Sequence, residues 1–202
     1  MILIFLTPQV LLAALDDIEI IYVNRNVPNG DGSGSSCNNT TNELSDALKA
    51  AKELNDVTPA LYVKFWSLQP IFLMYNAADK TVGDCVRDNA SVMLEDVKIF
   101  DEFSENADYT KNSPETLDSI ISARNTKDWN ANPTILSGDL NSNDGPGLTN
   151  ITENTRHVVI CEGDVVTACL DGFTITGGNA YGTSSIKVNT KTIAVRNGGG
   201  IS

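Results

Sequence analysis

The sequence predicts a mainly β chain of short, recurring strands with one helix near its start. Three observations carry that prediction. Asn (21), Thr (18) and Gly (15) are abundant, and these residues form turns and strands more readily than helices. The run Thr134-Ile135-Leu136-Ser137-Gly138-Asp139 returns 40 residues later as Thr174-Ile175-Thr176-Gly177-Gly178-Asn179, and Thr192-Ile193-Ala194-Val195 follows 18 residues after that. Short strands at such spacing signal a stacked solenoid, in which neighbouring coils supply the core that one coil lacks. The competing arrangement is a β-sandwich, whose strands seldom repeat the same turn chemistry. Finally, a single stretch, residues 40–55, has clear helical periodicity.

Composition sets the outer bounds. A chain of 202 residues with 41% apolar content is long enough to bury a core and too apolar for disorder. The formal net charge of −12 argues against nucleic acid as a partner, because a phosphate backbone selects clustered Lys and Arg. Tyr181 to Ser202 holds three bases and no acid, which reads as a solvated strand-turn segment rather than a polyanion site.

The elements follow in order. Met1 to Leu15 is an apolar run ending in small residues, too short to span a bilayer and suited to the h-region of a signal peptide. It lacks the usual basic start; the competing reading is a buried first strand. Ile18 to Val23 is β-branched and reads as a strand. Asn24 to Asn39 is a Gly, Asn and Ser loop. Thr40 and Glu43 have capping-box spacing, and Leu44, Ala47, Leu48, Ala51 and Leu54 form one apolar stripe that Asn55-Asp56 ends. Leu61 to Trp66 and Ile71 to Tyr75 read as strands, and Ser91 to Phe103 as two strand halves. Ser104 to Asn132 is polar and loop-like, with a helical turn over 114–123. From Pro133 onward apolar triplets alternate with Gly, Asn and Asp clusters. The domain reading is a signal peptide over 1–15, a strand, helix and irregular β region over 16–123, and the repetitive region over 124–202.

Cys37, Cys85, Cys161 and Cys169 allow three disulfide pairings, and Cys161 and Cys169, in apolar sequence, read as two buried thiols. No CxxC pair occurs and there is one histidine, so a structural zinc site is not expected.

Arg124 to Leu140 (RNTKDWNANPTILSGDL), Arg156 to Val159, Leu170 to Ala180 (LDGFTITGGNA) and Gly198-Gly199-Gly200-Ile201 carry a family resemblance. Together they resemble the start of exported bacterial proteins of the pectin-lyase-like superfamily, some with polymorphic outer membrane protein repeats. The resemblance is strong over residues 124–180 and weak over 57–90. It implies a right-handed parallel β-helix with an N-terminal capping helix, a GGGI strand at the end, and a secreted or cell-surface location, the outer membrane included. It also implies a non-catalytic cap and first coils of an adhesion or glycan-contacting scaffold. The expected partners are polysaccharide or cell-surface glycan and further coils of the same protein. The alternative is a polysaccharide lyase or glycoside hydrolase whose groove lies beyond residue 202. Asp101-Glu102 stand where relatives usually carry Gly-Gly. The R-x-P-x-x-R run of pectate lyases and the Gly-His-Gly of polygalacturonases do not occur.

One stretch suggests a cofactor. Asp139, Asn141, Asn143 and Asp144 stand in a DLNSNDG run, where alternating oxygen ligands before a glycine resemble a calcium loop. Gly145 is one place late and the twelfth position is Asn150 rather than a bidentate Glu, so a plain Asn/Gly/Pro turn is the competing reading. His157 precedes an apolar triplet and reads as scaffold, not as a general base.

Overall fold

The structure, a computed structural model, describes residues 19–23, 32–33, 41, 43–55, 61–65, 71–73, 86–101, 133–163, 165–188 and 190–202. The apolar leader over 1–15, Thr40, Cys37, Cys85, the 114–123 turn and most of the first family-like stretch lie outside the described residues.

Eleven strands and one α-helix form among the described residues. The first half carries β1 (Glu19–Val23), α1 (Leu44–Asn55), β2 (Leu61–Phe65), β3 (Ile71–Leu73), β4 (Ser91–Val92) and β5 (Val97–Asp101). The second carries β6 (Thr134–Ser137), β7 (Val159–Ile160), β8 (Cys169–Asp171), β9 (Phe173–Thr176), β10 (Ser185–Val188) and β11 (Lys191–Ala194). They pair as a four-stranded sheet in the order β1-β2-β5-β8, a three-stranded sheet β3-β6-β9, and two two-stranded sheets, β4-β7 and β10-β11. The first three sheets are parallel and the last is an antiparallel hairpin.

The expected right-handed parallel β-helix with its capping helix is corrected here. The strands are two to five residues long and divided among four small sheets, one of them an antiparallel pair of sequence neighbours. What this establishes is a mainly β chain with one helix, and no solenoid among the described residues. The internal echo has a local cause. Its copies contain β6 and β9, which lie side by side with Thr134 opposite Phe173 and Leu136 opposite Ile175. The register is one residue away from the alignment of the echo itself. Similar sequence here reports two paired strands, each followed by glycine, which does not require a repeating coil. The expected terminal GGGI strand is likewise reduced to one bridge, between Ile201 and Val159.

Helix α1 forms where the apolar spacing places it, with Leu44, Ala47, Leu48 and Ala51 buried. The capping box expected of Thr40 with Glu43 involves a residue outside those described. The Glu43 carbonyl accepts a helical bond from the Ala47 N–H at 3.3 Å. Thr41 is tied to β1, its N–H donating to the Tyr22 carbonyl at 2.9 Å. The buried stripe packs with Ile21 and Val23 of β1, Val97 and Ile99 of β5, and Leu136 of β6.

A second apolar cluster joins Val92 and Ile160 to Ile186, Val188, Ile193 and Val195. The β4–β7 ladder separates the two clusters. Val92 lies opposite Ile160 in register and both face the second cluster, whereas Met93 and Val159 face the first. Side chains alternate across a strand, so one short ladder serves two cores. In the hairpin, Ile186 opposes Ile193, and Ser185 and Lys187 face outward. No helix among the described residues is long and apolar enough to cross a membrane.

Candidate functional site

The chain leaves β6 through a crowded glycine. Gly138 donates its N–H to the Thr176 carbonyl at 2.9 Å and accepts from the Thr155 N–H at 2.8 Å. A Cβ there would overlap the Thr155 hydroxyl and press on the Gly177 carbonyl, so only glycine lets the three segments meet.

Asp139 follows and organises the next turn. One carboxylate oxygen accepts the Asn143 N–H at 3.1 Å and the other the Asp144 N–H at 3.0 Å. These contacts explain why a carboxylate stands at 139: the turn points two main-chain donors inward, and Asp has the reach to satisfy both. Beyond it the chain folds back on itself. Gly145 and Thr149 form an antiparallel bridge, and Ser142, Gly147, Leu148 and Asn150 take positive φ. The Asn150 amide donates to the Asn143 carbonyl at 3.0 Å and closes the loop.

This fold-back returns Glu153 and Asn154 to Asp139. Carboxylate oxygens of Asp139, Asp144 and Glu153 all lie within 4.8 Å of one another. The Asn154 amide donates to an Asp144 oxygen at 2.8 Å. Asp139 is nearly buried, Glu153 half-buried and Asp144 exposed. Of the four residues expected to act together, the structure brings Asp139 and Asp144 into one cluster. Asn141 and Asn143 are exposed, and Asn143 contributes a main-chain N–H and carbonyl to the loop. The sequence reading missed Glu153, because calcium-loop spacing directs attention to position 150, where Asn stands. The 145–149 fold-back is what brings a later acid to the same place.

A polar framework holds the far side of the loop. Arg87 donates to the Asn154 carbonyl at 2.7 Å and to the Asn179 carbonyl at 3.0 Å. Asn179 in turn donates its side-chain amide to the Ile151 carbonyl at 2.7 Å. Arg156 pairs with the buried Asp88. His157 is fully buried, with Nδ1 2.9 Å from the Gly198 carbonyl. A carbonyl only accepts, so Nδ1 carries the proton and the imidazole pins the Gly198 bend. The histidine thus packs in the scaffold, two positions ahead of β7.

The thiols differ from the expected buried pair. Cys161 is exposed and Cys169 half-buried, and neither forms a disulfide. Local burial nevertheless pushes the Cys161 thiol above its ordinary pKa.

No protein-family model, curated protein or solved structure matches this chain.

Proposed function

We propose that the chain is a non-catalytic scaffold of a secreted or cell-surface protein, contacting glycans or other macromolecules through its loops. The observation that supports this reading is how its chemically capable groups are used. His157 is sealed inside and bonded to the Gly198 carbonyl, and Arg87 is committed to main-chain carbonyls. A general base needs access to a substrate proton, and a buried imidazole lacks it. The acid surplus and the apolar leader favour an exported surface over a nucleic-acid partner. The resemblance of residues 134–140 and 170–180 to exported bacterial proteins points the same way.

The test pairs two assays on the full chain. Glycan-array binding is expected without release of reducing ends or unsaturated uronates from pectin-type polysaccharides. Cleavage of such a polysaccharide overturns the non-catalytic reading, and a silent array removes glycan as the partner.

A further inference from the structure

We propose that Asn197 is a site of self-modification, at which the Gly198 nitrogen attacks the Asn197 side chain and converts it to isoaspartate or aspartate. Asn197 and Gly198 are both exposed, in the turn that follows β11. The Asn197 N–H donates to the Ala194 carbonyl at 3.0 Å, but its side-chain amide makes no hydrogen bond among the described residues. The Gly198 N–H, which supplies the nucleophile, makes none there either. A side chain at 198 would crowd the approach of that nitrogen to Cγ, and glycine leaves it open. The other Asn-Gly pair, Asn29-Gly30, lies outside the described residues.

Exposed asparagines of the 139–155 loop are held differently. The N–H that follows Asn141 donates to the Asp139 carbonyl at 3.4 Å, and the one that follows Asn143 to the Asp139 carboxylate at 3.0 Å. Asn150 commits its amide to the Asn143 carbonyl and precedes a β-branched residue. A nitrogen held in a hydrogen bond must leave it before it attacks, which slows the reaction by up to about tenfold. The fold also requires the glycine for a separate reason. Gly198 has a φ of 60°, and a Cβ there would overlap the Ile201 carbonyl. The bend that His157 pins through the Gly198 carbonyl therefore carries the labile pair as a structural necessity.

The chemistry needs only water. A bond forms between the Gly198 nitrogen and Asn197 Cγ, and the bond from Cγ to Nδ2 breaks. Nδ2 departs as ammonia, taking up the proton lost from the Gly198 N–H, and a cyclic imide remains. Water then opens the ring on either side of its nitrogen. Cleavage from Cγ gives aspartate, and cleavage from the Asn197 main-chain carbonyl carbon gives isoaspartate, whose backbone runs through Cβ and Cγ. Both products place a negative charge beside Arg196. Isoaspartate also adds a methylene to the backbone just ahead of the segment that Val158 and Val159 hold through the Gly200 carbonyl.

The test incubates the folded full chain in mildly alkaline buffer and follows each asparagine by peptide mass mapping, with isoaspartate counted by isoaspartyl-specific methylation. Conversion at Asn197 is expected to run about tenfold faster, or more, than at Asn141 or Asn143. Asn197→Gln is expected to lose the Asn197 signal and leave the slower ones unchanged. The urea-unfolded chain serves as the clock, since every asparagine is free to react there. The proposal is overturned if Asn197 of the folded chain stays an amide while the same residue of the unfolded chain converts, because the turn would then hold Cγ away from the nitrogen. It is overturned equally if Asn141 or Asn143 converts as fast as Asn197 in the folded chain.

Discussion

The apolar cluster under α1 and the polar loop over 139–155 are held together by different physics. In the cluster, Val23, Ala47, Ala51, Val97 and Ile99 are completely buried, and non-directional burial of apolar area stabilises them. In the loop, directed bonds from Asp139, Asn150 and Asn154 and a tight glycine fix the path. The first arrangement accepts a range of apolar residues of similar volume. The second depends on single atoms, because moving one acceptor leaves its donors unpaired. A core built by area is therefore readable from periodicity, whereas a loop built by atoms is not.

Substitutions separate the two regimes. The largest effect is expected for Ile99→Ala, which opens a cavity in the completely buried centre of β5 and costs about 2–5 kcal/mol, measurable as a lower urea midpoint. Gly178→Ala comes next. A Cβ there would overlap the Gly199 carbonyl, and the forced backbone shift is expected to cost about 1–3 kcal/mol. Faster amide exchange in residues 198–202 should accompany it, since Val159 and Cys161 hold that segment through the Gly200 and Ser202 carbonyls.

Asp139→Ala, measured in EDTA, removes the acceptor from two amides and is expected to cost about 1–3 kcal/mol, again by denaturant melting. A loss near zero would mean that water replaces the carboxylate and that the loop does not depend on single atoms. Thr190 has a φ of 65° in the β10–β11 connection, where a β-branched residue is strained. Thr190→Gly relieves that strain at some cost in chain entropy, for a net gain of about 0.5 kcal/mol in thermal melts.

The smallest effect concerns pH. Burial raises the Cys161 pKa, so the folded chain holds that proton more tightly than the unfolded chain. The associated stability is present below the unfolded thiol pKa, about 8.5, and is lost as pH rises through the higher folded value. Iodoacetamide should accordingly alkylate native Cys161 more slowly than the same residue in denaturant at pH 8–9. Equal rates would show a fully solvated thiol.

The sequence by itself determined the β-rich class and the helix with its buried face. Most strands were also legible: β1, β2, β5, β6, β9 and β11 coincide with apolar runs within a few residues. All of these are properties of neighbours along the chain, where side-chain period and turn residues act directly. Only the tertiary structure decided how the strands share sheets. The Thr-Ile echo suggested coils, but β6 and β9 are sheet partners offset by one residue from that echo, because register is chosen by packing across strands. The β10 strand was missed because Ser185, Ile186, Lys187 and Val188 alternate over too few residues to stand out before β11 pairs with them. Asp139 and Asp144 were visible as a pair in DLNSNDG. Glu153 and Asn154 joined them only because the 145–149 bridge reverses the chain, and convergence of that kind depends on distance in space, which spacing along the sequence does not encode.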